Sequence, residues 1–371
     1  MIDFLNKQIR LFTALSNWKL ILALSAPLIS FFFSYPSLKS VDHYYTPFFE
    51  FVSEPFSPHL FPSESTYSKL TFRLLPIIIV KALNLNTLGV IFWQFINGIV
   101  LCYLFSKLMF KITNSNEITF FTTITFLFIF TGKVSFINIK PNFDSLALIF
   151  YCLYFLTNDK ILKLIFIFLV CWIDERAIIA TFFLVTFDVF NLIKIRKSEI
   201  KKNILSLFYF FPFIIYAALR FFLSEKYGLK SSSGGISLKI LATNFNLFPI
   251  SIWQAFEGFW LLIIYTFYIV QKSKKLKDRL LFTFILFIAL SISLVSNIVY
   301  DVSRSLVYLL PLLIICLIYL TDKISNKLIL TITKYSCLLS FLYPTYIIGG
   351  PKIEWMKPLI INLIFQFFTN S

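Results

Sequence analysis

The chain has 371 residues, 58% of them hydrophobic and 19% aromatic, with a formal net charge of +16. No polar stretch is long enough to bury a core of its own, which excludes an array of soluble domains and leaves one integral membrane domain over residues 1–371. The excess Lys and Arg falls in short clusters between apolar runs, a pattern that fits loops against anionic membrane lipids and argues against nucleic acid as a partner.

Lys7, Arg10 and Lys19 lead into the first apolar run. This beginning resembles a signal peptide, but further spans follow, so an uncleaved first span is expected. A hydrocarbon core of about 30 Å takes roughly 20 apolar residues per crossing helix. Spans are expected near 18–36, 86–106, 117–137, 143–157, 160–174, 176–193, 203–222, 250–270, 280–299, 305–321 and 327–348, eleven in all. The fold class is therefore an all-α polytopic bundle.

Residues 37–85 read as an external loop that ends in an interfacial helix over 70–83, too short to cross and carrying Arg73 and Lys81. A second external loop is expected over 224–249, where Ser231-Ser232-Ser233-Gly234-Gly235 has a flexible composition. The apolar stretch at 358–368 is also too short to cross and is expected at the outer surface. Two basic clusters set the orientation: Lys194, Arg196, Lys197, Lys201 and Lys202, then Lys272, Lys274, Lys275, Lys277 and Arg279. Both are expected to face the cytoplasm, and counting back puts the N-terminus there too. The count depends on reading 160–193 as two crossings joined at Asp174-Glu175-Arg176.

Cys102, Cys152, Cys171, Cys316 and Cys337 lie in or beside apolar runs without a C-x-x-C pair, so neither a disulfide framework nor a zinc site is indicated. His43 and His59 are too widely spaced to suggest a metal site. No cofactor is implied, and a divalent cation is left open.

With this topology the polar groups fall on the outer face. Asp42 follows the first span closely and reads either as a general base or as a solvated loop acid. The first long loop also holds His43, Glu50, Glu54, His59 and Glu64. Asp174, Glu175 and Arg176 interrupt a long apolar stretch; Arg176 suits a two-pronged phosphate contact with an acid holding it in place, or the three form an interfacial charge cluster. Arg73 stands just before Leu74-Leu75-Pro76, where proline aims the guanidinium or where the side chain snorkels to headgroups. In Lys140-Pro141-Asn142-Phe143-Asp144 the favoured reading is helix capping by Asn142 or Asp144. Asp301 and Arg304, three apart, are expected to pair. Lys133 and Arg220 complete the outer set, and Glu257 lies either deep in a span or at its outer start.

Asp42 after the first span, the Arg73-Leu74-Leu75-Pro76 segment, and the outer charges at Lys140, Asp144 and Asp174 to Arg176 together resemble the GT-C class of membrane glycosyltransferases. Many members carry paired acids in the first external loop, whereas here His43 and Tyr44 follow Asp42. The resemblance implies a polyprenyl-phosphate-linked sugar as donor and a glycan, lipid or protein as acceptor. It implies inverting transfer with Asp42 as base. Substrate or lipid-phosphate contacts are expected from His43, Arg73, Lys140, Asp144, Asp174, Glu175, Arg176 and Arg304. A bacterial plasma membrane is the expected location. The competing readings are a transporter or a lipid or oligosaccharide flippase, a glycan polymerase or ligase, and a non-catalytic membrane partner.

Overall fold

The computed structural model describes residues 2–35, 41–57, 70–192, 208–229, 244–299, 301–349, 352–362 and 364. The architecture is all-α, with one two-stranded hairpin near its end. Among the described residues, five helices are long and apolar enough to cross a membrane, and up to seven if each of two bent pairs counts as one span. This suits a multi-pass membrane protein.

The first bent pair is α1 (Ile2–Thr13) and α2 (Trp18–Phe33), which meet at 111°. Next comes α3 (Val41–Ser53), inside the segment expected to be a loop; aromatic and acidic residues around Pro47 hid it from a hydropathy reading. The segment expected to hold a short helix forms α4 (Leu74–Ala82).

A long span, α5 (Thr87–Thr113), begins where the Asn86 side chain accepts from the Gly89 amide at 2.8 Å and ends at Asn114 in the left-handed region. The second bent pair, α6 (Asn116–Phe128) and α7 (Phe130–Ile137), turns by 55°. Then come α8 (Asp144–Leu156) and α9 (Lys160–Cys171), of 13 and 12 residues. At about 1.5 Å per residue these reach about 20 Å, short of a full hydrocarbon core. The expected spans at 143–157 and 160–174 are thus helices of less than crossing length. Asp174 lies in the turn that follows α9.

The chain continues through α10 (Glu175–Leu192), α11 (Phe211–Tyr227), α12 (Phe248–Phe256), α13 (Trp260–Lys272), α14 (Leu276–Ile298), α15 (Val302–Leu306), α16 (Leu310–Thr321) and α17 (Asn326–Leu342). Strands β1 (Tyr346–Gly349) and β2 (Lys352–Trp355) pair antiparallel. The span expected at 327–348 therefore ends at Leu342 and its tail becomes strand. The continuous helix over Val302–Thr321, which contains α15 and α16, is the centre of the bundle, with 89% of its apolar window buried. The helix over Phe208–Tyr227 is peripheral at 17%. Around the centre, α5 packs on α2, α6 and α8, α10 packs on α14, and α17 packs on α6.

The basic cluster at 194–202, residues 230–243 of the second expected loop, and His59 and Glu64 lie outside the described residues, as does the end of the 358–368 stretch; the described part of that stretch begins a helical turn at 359–362.

Candidate functional site

At one end of the bundle, four chain segments bring their charged groups together. The turn after α9 presents Asp174, 1% exposed, to two guanidinium groups. Arg176 donates from Nε to Oδ1 at 2.7 Å and from Nη2 to Oδ2 at 2.7 Å, a fork-on-fork pair, and its backbone amide also reaches Oδ1 at 2.9 Å. Arg73 places Nη2 2.9 Å from Asp174 Oδ2 and 3.2 Å from Glu175 Oε2. It stands before α4, which is fastened to the same turn by the Leu75 amide donating to the Trp172 carbonyl at 3.1 Å. Burial alone pushes the Asp174 carboxyl up, but the guanidiniums of Arg176 and Arg73 outweigh it and hold the group below the usual carboxylate range.

A second lobe forms around Asp144, 3% exposed at the start of α8. Arg304 donates from Nε to Oδ2 at 2.8 Å and from Nη2 to Oδ1 at 3.0 Å, and Tyr308 donates its hydroxyl to Oδ1 at 2.7 Å. The third guanidinium nitrogen of Arg304 meets Asp301 Oδ2 at 3.0 Å. Ser305 joins the lobes: its hydroxyl accepts from Arg176 Nη1 at 2.9 Å and donates to the Asp301 carbonyl at 2.8 Å. The Arg176 guanidinium also lies 5.7 Å from the Tyr308 ring centroid.

A third element, α3, abuts the loop leading to Asp144. Tyr45 donates its hydroxyl to the Ile139 carbonyl at 2.7 Å, and the Lys140 ammonium stands 4.2 Å over the Tyr44 ring. Asp42 is in the first turn of α3, with its side chain outside the described residues. His43, next to it, is exposed and edge-on to Tyr44 at 5.4 Å.

No family model, curated protein or solved structure matches the chain.

The pairings expected within Asp174 to Arg176 and between Asp301 and Arg304 are both present. Asp144 is not a capping residue: Phe143 is the N-cap of α8, no side-chain cap bond forms, and the carboxylate is spent on Arg304 and Tyr308. Asn142 likewise caps nothing there, and its Nδ2 is buried without a partner. Arg220 lies 4.2 Å over the Phe72 ring and is bonded to the Tyr216 hydroxyl at 2.9 Å. Sequence reasoning passed over Tyr308 and Ser305, which look like ordinary members of an apolar helix until the fold turns them toward Asp144 and Arg176.

Lys133 is fully buried on α7, where its ammonium donates to Ser34 Oγ at 3.2 Å and to Thr345 Oγ1. Glu257 stands between α12 and α13 at a positive φ of 44°, wholly buried and with neither carboxyl oxygen hydrogen-bonded. Glu257 thus lies within its helical segment, at the break between α12 and α13. Its position at a helix interruption and the unpaired amide of Gln254 make this a second polar focus within the bundle.

Proposed function

We propose that the chain is a membrane glycosyltransferase that moves a sugar from a polyprenyl phosphate to an acceptor on the non-cytoplasmic face of a bacterial plasma membrane. The observation that carries this reading is the convergence of Arg73, Asp144, Asp174, Arg176 and Arg304 into one network beside the helix that bears Asp42. Groups scattered over 232 positions, from 73 to 304, share one end of the bundle, as a single outward site requires. A multi-pass topology with a cytoplasmic N-terminus belongs to the same reading, in which that end faces outward.

In this mechanism Asp42 takes the proton of an acceptor hydroxyl as its oxygen attacks the anomeric carbon. The bond from that carbon to the phosphate oxygen breaks with inversion, and its electron pair stays on the phosphate. Among the described residues Arg73 has Nε unpaired and the Lys140 ammonium stands over a ring face, so these two supply positive charge to the leaving group. His43, exposed beside Asp42, and Glu175, half-buried at the rim, complete the substrate contacts. Arg176 and Arg304 have their guanidinium nitrogens engaged by Asp174, Ser305, Asp144 and Asp301, and act as positioning residues. Asp42→Asn should abolish transfer in membranes supplied with polyprenyl-linked sugars while insertion is unchanged. Retained transfer removes Asp42 from the mechanism.

One observation favours a transporter or flippase as the second reading. Helices interrupted within the bundle at Ile129 and Glu257, with a buried Lys133 between them, resemble the discontinuous helices that hold midplane sites. Substrate flipping by reconstituted vesicles without sugar transfer would put that reading first.

A further inference from the structure

At the end of the bundle away from the charged network, α2 and α5 bring two ammonium groups together. The helices lie side by side, with the rings of Phe31 and Phe95 5.7 Å apart toward one end and the Lys19 ammonium 4.0 Å over the Phe110 ring at the other. Tyr103, Lys107 and Phe110 follow one another at helical spacing and share a face of α5. The Lys107 ammonium stands 4.6 Å over Tyr103, so Lys107 and Lys19 occupy that face about one turn apart. Gln94, which reaches the Ile139 carbonyl beside the network at 3.5 Å, lies about 20 Å back along the same helix.

Among the described residues, neither ammonium meets a carboxylate. Arg10, Lys111 and Lys163 at the same end are matched: Arg10 Nε to Glu117 Oε1 at 2.6 Å, Lys111 to the carbonyls of Phe155 and Leu156 at 3.2 and 2.8 Å, and Lys163 to Asp188 at 2.6 Å. A ring face holds an ammonium in place without neutralising it. Two like charges so placed repel, and an anion seated on both reverses that cost. The surroundings decide what carries the anion. Because α1 meets α2 at 111°, it lies along the membrane surface when α2 crosses, fastened there by Arg10 and by the Asn116 side-chain amide donating to the Thr13 carbonyl at 3.3 Å. Lys19, just past that elbow, stands at headgroup depth. Exposed apolar stripes run up to the pair from the bilayer side: Leu20, Leu24 and Leu28 on α2, and Ile96 and Val100 on α5. A soluble anion leaves those stripes unused. A zwitterionic headgroup would bring its own ammonium against two lysines whose aromatic faces are already taken.

We propose that Lys19 and Lys107 seat the phosphate of an anionic phospholipid, a phosphodiester whose headgroup carries no amine, in the leaflet opposite the charged network, with its acyl chains along the exposed stripes of α2 and α5. The chemistry that is recognised is a phosphate on paired ammonium groups, and the stripes make a lipid its source in place of free phosphate. The bound lipid ties α2 to α5 at the elbow from which α1 turns away. This site is separate from the transfer chemistry and does not depend on it.

The test is native mass spectrometry of the full chain, stripped of lipid in detergent and offered equimolar phosphatidylglycerol and phosphatidylcholine with identical acyl chains. The first lipid retained should be phosphatidylglycerol, with at least a tenfold preference. Lys19→Gln with Lys107→Gln should bring the two lipids to parity, whereas Lys19→Arg with Lys107→Arg, which keeps both charges, should retain the preference. Lys274→Gln with Lys275→Gln removes the same charge from the exposed turn between α13 and α14 and should also retain it. Parity in the parent, an equal loss in the Lys274 and Lys275 variant, or loss in the arginine variant would overturn the proposal. Inorganic phosphate separates the two sources: displacement of the lipid by phosphate at an ionic strength where chloride displaces none would make free phosphate the occupant and overturn the lipid assignment, and no displacement supports it.

Discussion

Asp144→Ala should cost about 3–5 kcal/mol of unfolding free energy, the range found when one partner of a buried ion pair is removed. The carboxylate takes two nitrogens of Arg304 at 2.8 and 3.0 Å and the Tyr308 hydroxyl at 2.7 Å. Without it, Arg304 keeps only Asp301, whose side chain is 44% exposed and therefore well screened by solvent. Tyr308, fully buried, loses the acceptor for its phenol, itself a loss of about 1–3 kcal/mol. With about 1.4 kcal/mol per decade, the unfolding constant should rise by about a hundredfold to several thousandfold. Reversible unfolding in mixed micelles against a denaturing detergent measures this. The companion variant Asp144→Leu with Arg304→Met removes both charges and should regain most of the loss, because an apolar pair of similar volume replaces a desolvated ion pair at little cost. A single-variant loss below about 1 kcal/mol, or a double variant no more stable than the single, would mean that the two groups are not coupled as described.

Gly258→Ala should prevent the folded protein from accumulating, since the new Cβ would lie 2.0 Å from the Ser336 carbonyl oxygen, a backbone atom; Gly89→Ala, whose nearest neighbours stand at 3.3 Å, should accumulate normally by fluorescence-detected size exclusion. Lys133→Met should destabilise by several kcal/mol by removing two hydrogen bonds and the positive charge near buried Glu257, and Lys133→Met with Glu257→Leu should be more stable than Lys133→Met alone in the same unfolding assay. Tyr45→Phe should cost about 1 kcal/mol through the lost bond to Ile139, with a matching fall in thermal midpoint. Asp174 is held below its ordinary range in the fold, so its stabilisation is complete above the unfolded value of about 3.9 and is lost as pH falls toward the folded value. Melts of the parent minus Asp174→Asn should therefore differ by a constant amount from neutral pH down to about pH 5, and the gap should close only in stronger acid.

The helical class and the local pairs were legible because both depend on short spacing: apolar runs define helices, and Asp174 with Arg176 or Asp301 with Arg304 sit within one turn of each other. Partnerships across the chain were not. Nothing near Asp144 in the sequence announces Arg304, 160 positions later, and capping seemed sufficient for an acid beside Lys140-Pro141-Asn142. Hydropathy also misread length. Residues 143–157 are apolar enough for a span but helical over only 13 residues, and α3 hides in aromatic sequence that scores as loop. The hairpin had a signal: Gly349-Gly350-Pro351 punctuates two short runs of β-formers, which a window tuned to 20-residue helices averages away. Glu257 was ambiguous on hydropathy alone, and only the interruption between α12 and α13 gives it a place.

The hairpin is also a clasp. The Ser303 hydroxyl accepts from the Ile348 amide at 2.8 Å, Gly349 bridges to Asp301, Thr345 accepts from Lys133, and the Tyr35 amide donates to the Lys357 carbonyl at 2.9 Å. Residues emerging early from the ribosome are thus locked by residues emerging late. Asp144 and Lys133 are synthesised long before Arg304 and Thr345, so both charges stay without these partners until the closing stretch is made.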